Sequence, residues 1–387
     1  MEASVAALPR PRVVAGASAI AWPAVLMVTA AASIIAGLLW DISWHKTIGR
    51  DTFWTPAHLA IHFGGILAGL TGTFLILRAT FGGREEDRAA SVRVWGFRGP
   101  FGAWLSIWGA FAMVTSAPFD DWWHSAFGLD VKILSPPHTV LAAGMFGVVY
   151  GAVLIVVARQ NRVGEAEPWL KYAYVFAAGI LVTMLAVIVS EYTEPNRQHA
   201  AFFYLVVAAL FPYTLVGLGR ASRVRWPMTS IAAVYMATIV VMNLILQPFP
   251  AHPKLAPIYI PVDHMVPFTF PLLLVVPGFA IDLVMRWLRD RNDWLLAAAI
   301  AVTFVVVLAS ASWPFSMFEL TPWAANPFFV GARYVPYFEQ PGSWMHEFWG
   351  VQRDPLTIAK AGMAVGLAFV STRLGLARGR WMKRVVR

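Results

Sequence analysis

Apolar runs of about 20 residues recur along the chain, and short connecting segments between them hold most of the charge. About 20 apolar residues span a bilayer as a helix. The pattern predicts about ten spans, at 18–42, 56–78, 100–118, 138–158, 170–190, 200–219, 228–247, 265–285, 294–313 and 356–373. Most of the 30 Lys and Arg fall in alternate segments: Arg10 and Arg12, Arg78 to Arg98, Arg159 to Lys171, Arg220 to Arg225, Arg286 to Arg291 and Arg373 to Arg387. Basic loops stay on the cytoplasmic side of a membrane, so both termini are expected there. The first apolar stretch is too long for a cleavable signal and runs straight into a polar motif. The expected fold is an all-α polytopic membrane protein. Residues 1–17 form a cytoplasmic tail, 18–164 a four-helix unit, and 165–387 a six-helix unit with an aromatic outer segment at 314–355.

Composition narrows the function classes. Hydrophobic residues make up 58% and charged ones 13%, against about 45–50% and about 25% in soluble domains. A soluble enzyme, a disordered chain and a nucleic-acid module are excluded, and lipid is the expected surroundings. The net charge of +9 follows from the cytoplasmic loops rather than from an anionic macromolecular partner. Cysteine is absent. That removes disulfides, thiolate zinc, iron–sulfur clusters, thiolate or covalently attached haem and type-1 copper.

In this topology all nine histidines (45, 58, 62, 124, 138, 199, 252, 264, 346) and more than half of the 21 carboxylates lie at the outer face. Two outer turns repeat one motif. The first runs Asp41-Ile-Ser-Trp44-His45, through Gly49 and Asp51, to Thr55-Pro56-Ala-His58; the second runs Asp120-Asp121-Trp-Trp123-His124, through Gly128 and Asp130, to Ser135-Pro136-Pro137-His138. Asp41 and His45, like Asp120 and His124, are four apart and share a helix face. Thr55-Pro56 and Ser135-Pro136 read as a hydroxyl N-cap with proline at the first helical position. His58 and His138 then enter the first turn of the returning helix, facing the Asp/His pair. Two imidazoles and a carboxylate per hairpin suit copper, zinc or iron(II). Asp51 and Asp130 fit the orienting role that carboxylates play behind ligand imidazoles. His62, one turn below His58, is a spare ligand or outer partner, and Asp121 is a second acid beside Asp120. The same residues also read as solvated polar groups at a bilayer edge, with Trp44 and Trp123 as interfacial belt residues.

On these residues the chain resembles the C subunit of the copper membrane monooxygenases, the particulate methane and ammonia monooxygenase family. Asp41, His45 and His58 match that subunit's Asp-x3-His-x12-His motif. Asp120, His124 and His138 match its later Asn-x3-His-x13-His set, with Asp in place of Asn. The resemblance covers about residues 18–158. It implies a copper site near the outer face of a bacterial-type inner membrane, in an enzyme or enzyme subunit that oxidises a small apolar substrate with O2. It also implies other membrane subunits as partners.

Residues 165–387 add further outer polar groups: Glu191, Glu194 and His199; His252, Asp263 and His264; His346 and Glu347. Glu191 is the candidate for a third site, since carboxylates at such depth are costly. The Pro-dense stretch from Pro248 to Pro267 reads as an outer loop entering a broken helix, kinked by Pro267, Pro271 and Pro277. Trp323, Phe328, Phe329, Tyr334, Tyr337, Trp344 and Trp349 place the 314–355 segment on the membrane surface. Two other functions stay open: a non-catalytic metal-binding or metal-transfer membrane protein, and a haem-binding subunit using His58 and His138 as axial ligands.

Overall fold

Each predicted apolar stretch contains helix in the structure, a computed structural model that describes residues 21–50, 52, 54–82, 85–128, 135–331, 335–340, 348 and 353–387. The long helices are α1 (Trp22–Thr47), α2 (Pro56–Phe81), α4 (Phe101–Phe127), α5 (Pro136–Val163), α6 (Leu170–Ile188), α7 (Ala201–Ala221), α8 (Pro227–Leu246), α10 (Asp293–Glu319) and α11 (Ile358–Met382). Shorter ones are α3 (Glu85–Ala89) and α9 (Val275–Trp287). Among the described residues, 7 helices are long and apolar enough to cross a membrane: α1, α2, α5, α6, α7, α8 and α10. Helix α4 is as long but carries four Trp with Asp120 and Asp121, and α11 carries Lys360 and Arg373. The only sheet described is the hairpin β1 (Val92–Val94) and β2 (Phe97–Gly99). Its turn residues Trp95 and Gly96 have φ of 47° and 89°, as a type I′ turn requires.

The caps follow the expected chemistry. Thr55 and Ser135 accept from the backbone N–H of His58 and His138. Asn292 and Thr357 do the same for α10 and α11. Helix α8 has no local cap. Asp282 of α9 accepts from Met228 N, Thr229 N and the Thr229 hydroxyl instead, so its charge meets the positive end of that helix. One buried apolar cluster runs from α1 through α11 and includes residues of both predicted units.

Three expectations need correction. Helices α1, α4 and α10 outrun their predicted ends and reach Thr47, Phe127 and Glu319. Asp41, His45, Asp120 and His124 are therefore on helix proper, and the aromatic outer segment begins after Glu319 rather than at residue 314. Hydropathy fades at a polar residue, but the backbone ladder does not, and α4 and α10 continue through Pro118 and Pro314. The predicted span at 265–285 is helical only from Val275. Pro267 and Pro271 have no N–H to donate, so residues 265–274 run outside any helix. The N-terminal tail, Asp51, Asp130, Tyr334, Trp344, His346, Glu347 and Trp349 lie outside the described residues.

Non-helical backbone inside a membrane protein must find partners in the protein. Ser43 Oγ donates to Val266 O at 2.7 Å, and Val266 N donates to Thr47 Oγ1 at 2.7 Å. Asn243 Nδ2 donates to Phe268 O at 2.8 Å while Phe268 N donates to Asn243 Oδ1 at 3.1 Å. Leu272 N donates to the Tyr235 hydroxyl at 2.8 Å. Side chains of α1 and α8 thus replace the missing helical bonds and hold the segment in place. We expect Asn243→Leu to destabilise the protein by about 2–4 kcal/mol, because two buried backbone groups lose partners worth about 1–3 kcal/mol each. Denaturant titration in detergent measures this, and a change under about 0.5 kcal/mol, the size typical of surface substitutions, refutes the bracing role.

Candidate metal centres

Both Asp/His sets assemble at the same end of the bundle, each between an outgoing helix and the one that returns. In the first, Asp41 Oδ1 lies 3.1 Å from His58 Nε2, and Asp41 Oδ2 lies 3.8 Å from His45 Nε2. His58 Nδ1 sits 3.0 Å from the backbone carbonyl of Thr52. A carbonyl only accepts, so Nδ1 carries a proton, and Nε2, facing Asp41, either carries a second proton or offers its lone pair to a cation. Asp41 Oδ1 is shielded from solvent and has no hydrogen-bond partner among the described residues. Lone pairs facing each other at this distance call for a proton or a cation between them. The His45 side chain is 48% exposed, which leaves this set open on one side.

The second set is tighter. His124 Nε2 and His138 Nε2 lie 3.3 and 3.5 Å from the same oxygen, Asp120 Oδ1. One ligand atom from each of the three residues lies within 4.8 Å of the others. Ligands held about 2.0–2.2 Å from a metal stand about 3.4 Å apart at tetrahedral angles. The two spacings match that edge. Asp120 Oδ1 is buried without a hydrogen-bond partner among the described residues. Phe119, Trp122, Trp123 and Phe127 form a mutually packed aromatic cluster on the same stretch of α4. Spacing along the chain treats the two hairpins alike, whereas the geometry makes the second the better-formed triad.

The depth of each histidine is set by close helix contact. A Cβ added to Gly64, six residues after His58, would lie 2.6 Å from Ala30 O and 2.6 Å from the Ile34 side chain. A Cβ on Gly144, six after His138, would lie 2.7 Å from Gly109 O and 2.8 Å from the Met113 side chain. Ala30 and Gly109 stand eleven residues before their aspartates, and Ile34 and Met113 seven before. The internal repeat therefore extends into the packing beneath the sites, through positions the motif comparison did not single out. The clue lay in the sequence, in a glycine at the same offset from each histidine.

Other candidates fall elsewhere. His62 meets His58 edge-on at 6.4 Å between ring centroids. It shares the α2 stripe of Gly65, Gly69 and Gly72, which packs on α4. Asp121 is exposed and outside the triad. Glu191 is exposed in the turn Ser190–Tyr192. Glu194 is the enclosed acid there; burial holds its carboxyl above the usual range, against the pull of Lys46 and Arg197. His199 is a packing residue. Its ring lies flat between Trp313 and Phe348, at 3.9 and 3.8 Å, with Nε2 3.0 Å from Trp313 O. Asp263 and His264 pair at 3.0 Å in the open, and the imidazole holds the Asp263 carboxyl below its usual range. Asp51 and Asp130 cannot be placed behind the imidazoles, being outside the described residues; for His58 the Thr52 carbonyl performs that orientation.

No protein-family model, no curated protein and no solved structure matches this chain. The chemistry of the two triads is accordingly read from their own geometry. We expect Gly144→Leu to push α4 and α5 apart and weaken metal binding at the second set about 10–100-fold, the size of effect that loss of outer support has at metal sites. Gly64→Leu does the same at the first set. Metal titration of each variant, with circular dichroism as the check on folding, distinguishes this from a packing defect alone; unchanged affinity in a folded variant refutes it.

Proposed function

We propose that the chain is a copper-dependent membrane monooxygenase or a subunit of one, oxidising a small apolar substrate with O2. The observation that carries this reading is the pair of Asp/His/His sets, one of them with ligand atoms spaced as a bound metal requires. The resemblance of both motifs to the C subunit of the copper membrane monooxygenases names copper, with zinc and iron(II) as the other metals such ligands take. In this reading the chain crosses a bacterial-type inner membrane about ten times, with cytoplasmic termini, the triads toward the outer side and other membrane subunits alongside.

Asp120, His124 and His138 hold the metal in the second hairpin, and Asp41, His45 and His58 in the first. Bound copper supplies the redox chemistry toward O2. The protein's own contribution is positional. Thr52 O fixes the tautomer of His58 so that Nε2 is the donor atom. Each aspartate supplies the single negative charge that offsets a cation placed at membrane depth. The aromatic cluster from Phe119 to Phe127 shares α4 with Asp120 and His124, an apolar neighbourhood that suits a hydrophobic substrate. The exposure of His45 supports a second reading, a non-catalytic protein that takes up or passes on metal at the first set.

The test is metal analysis of the detergent-purified chain by mass spectrometry, with spectra before and after reduction. The reading expects bound copper. His124→Ala or His138→Ala should weaken copper at the second set by more than about 100-fold, beyond the cost of losing an outer-shell partner. His45→Ala and His58→Ala should do so at the first set. Full metal retention in all four variants, or a haem absorbance band in place of copper, overturns it.

A further inference from the structure

The opposite end of the bundle concentrates positive charge around one acid. Asp293, the first residue of α10, faces Arg220 of α7 at 3.2 Å and Arg373 of α11 at 3.8 Å, and is also paired with Arg380. Lys383 follows on the same helix end, where burial and the Arg220 charge hold its ammonium below the usual range. Three guanidiniums thus share a single carboxylate, with the Lys383 ammonium beside Arg220. Nearby acids are engaged elsewhere: Glu167 with Arg159, Glu165 with Arg223, and Asp282 at the start of α8.

Charges of one sign held together at low dielectric repel strongly unless a counter-charge is present. A carboxylate has two oxygens to offer, and three guanidiniums already compete for them. Arg373 Nε is buried with no hydrogen-bond partner among the described residues, and its guanidinium is packed over the Trp294 ring at 4.4 Å. Asp293 Oδ2 likewise has no hydrogen-bond partner among the described residues, so what the site has to spare is positive charge. Its flank is apolar and uncovered: Trp294, Leu295, Val370, Leu374 and Trp381 are all exposed. Those residues lie along α10 and α11 beside the cluster, where acyl chains would run. A diffusible anion has no use for such a flank, and an anionic phospholipid does.

We propose that Arg220, Arg373, Arg380 and Lys383, gathered around Asp293, bind the phosphate of an anionic phospholipid whose chains lie against α10 and α11. The guanidiniums present planar donor pairs to the phosphodiester oxygens. Asp293, as a carboxylate, offsets part of their charge and so limits the affinity.

The full-length protein, equilibrated with equal phosphatidylglycerol and phosphatidylcholine and then washed in detergent, tests this by mass spectrometry of the retained lipid. Phosphatidylglycerol should be retained preferentially, and Arg220→Gln and Arg373→Gln should each reduce the preference about fivefold. Arg289→Gln, which alters a cation paired with the exposed Asp290, should leave it unchanged. Asp293→Asn is the decisive variant, because it makes the cluster more positive and should raise the preference. An ion-pair cluster with only an internal structural role predicts no rise. Equal retention of the two lipids, or loss of preference in Asp293→Asn, overturns the proposal. Displacement by millimolar inorganic phosphate identifies soluble phosphate as the ligand and overturns the lipid assignment.

Discussion

Close approach of helix backbones within each hairpin is the contact on which the candidate sites depend. Lipid removes most of the hydrophobic drive for helix association, so interfaces rely on dense packing of small residues. Gly64 against Ala30 and Gly144 against Gly109 leave no room for a single added carbon. Because these contacts lie less than two turns below His58 and His138, they fix how far each returning histidine stands from its aspartate. A ligand set needs its donors within a few tenths of an ångström of their places. Rigid glycine contacts beneath a polar rim provide that placement, whereas a loop-borne histidine would not.

The broken segment at 265–274 imposes the second requirement. Its carbonyl and amide groups are met by Ser43, Thr47, Tyr235 and Asn243, which come from helices on both sides of it. The same α1 that carries Asp41 and His45 on one face thus braces the later half of the chain with Ser43 and Thr47 on another. Packing of the second half and geometry of the first site are coupled through one helix. The loop beyond reinforces this, since Lys254 N donates to Ile48 O and Tyr337 N to Lys46 O just past the site.

Apolar runs locate most of the helices, because about 20 residues without charge have few alternatives, but the equally apolar 265–274 stays outside any helix where Pro267 and Pro271 remove donors. Helix ends were less legible. Asp41 and Asp120 end a hydropathy run, yet the helix continues through both to place a histidine one turn on. The triads were visible through their doubled spacing, which a lone histidine lacks. What orients His58 was not visible: a backbone carbonyl such as Thr52 O has no residue signature. Nor did sequence show that Ser43 serves Val266, a contact across 223 positions. Glu194 rather than Glu191 proves to be the enclosed acid, since a short 3-10 turn decides which of the two faces inward.

The two ends of the bundle solve opposite electrostatic problems. At one end, oxygens and imidazole nitrogens converge with Asp41 Oδ1 and Asp120 Oδ1 unpartnered, an excess of lone pairs that suits a cation. At the other, Arg220, Arg373 and Arg380 crowd Asp293, an excess of donors that suits an anion. Polar groups whose charge or lone pairs are left unbalanced away from water are costly. Replacing either set with aliphatic side chains would remove that cost. In the two readings proposed above, a metal supplies the missing positive charge at one end and a phosphate-bearing lipid the missing negative charge at the other.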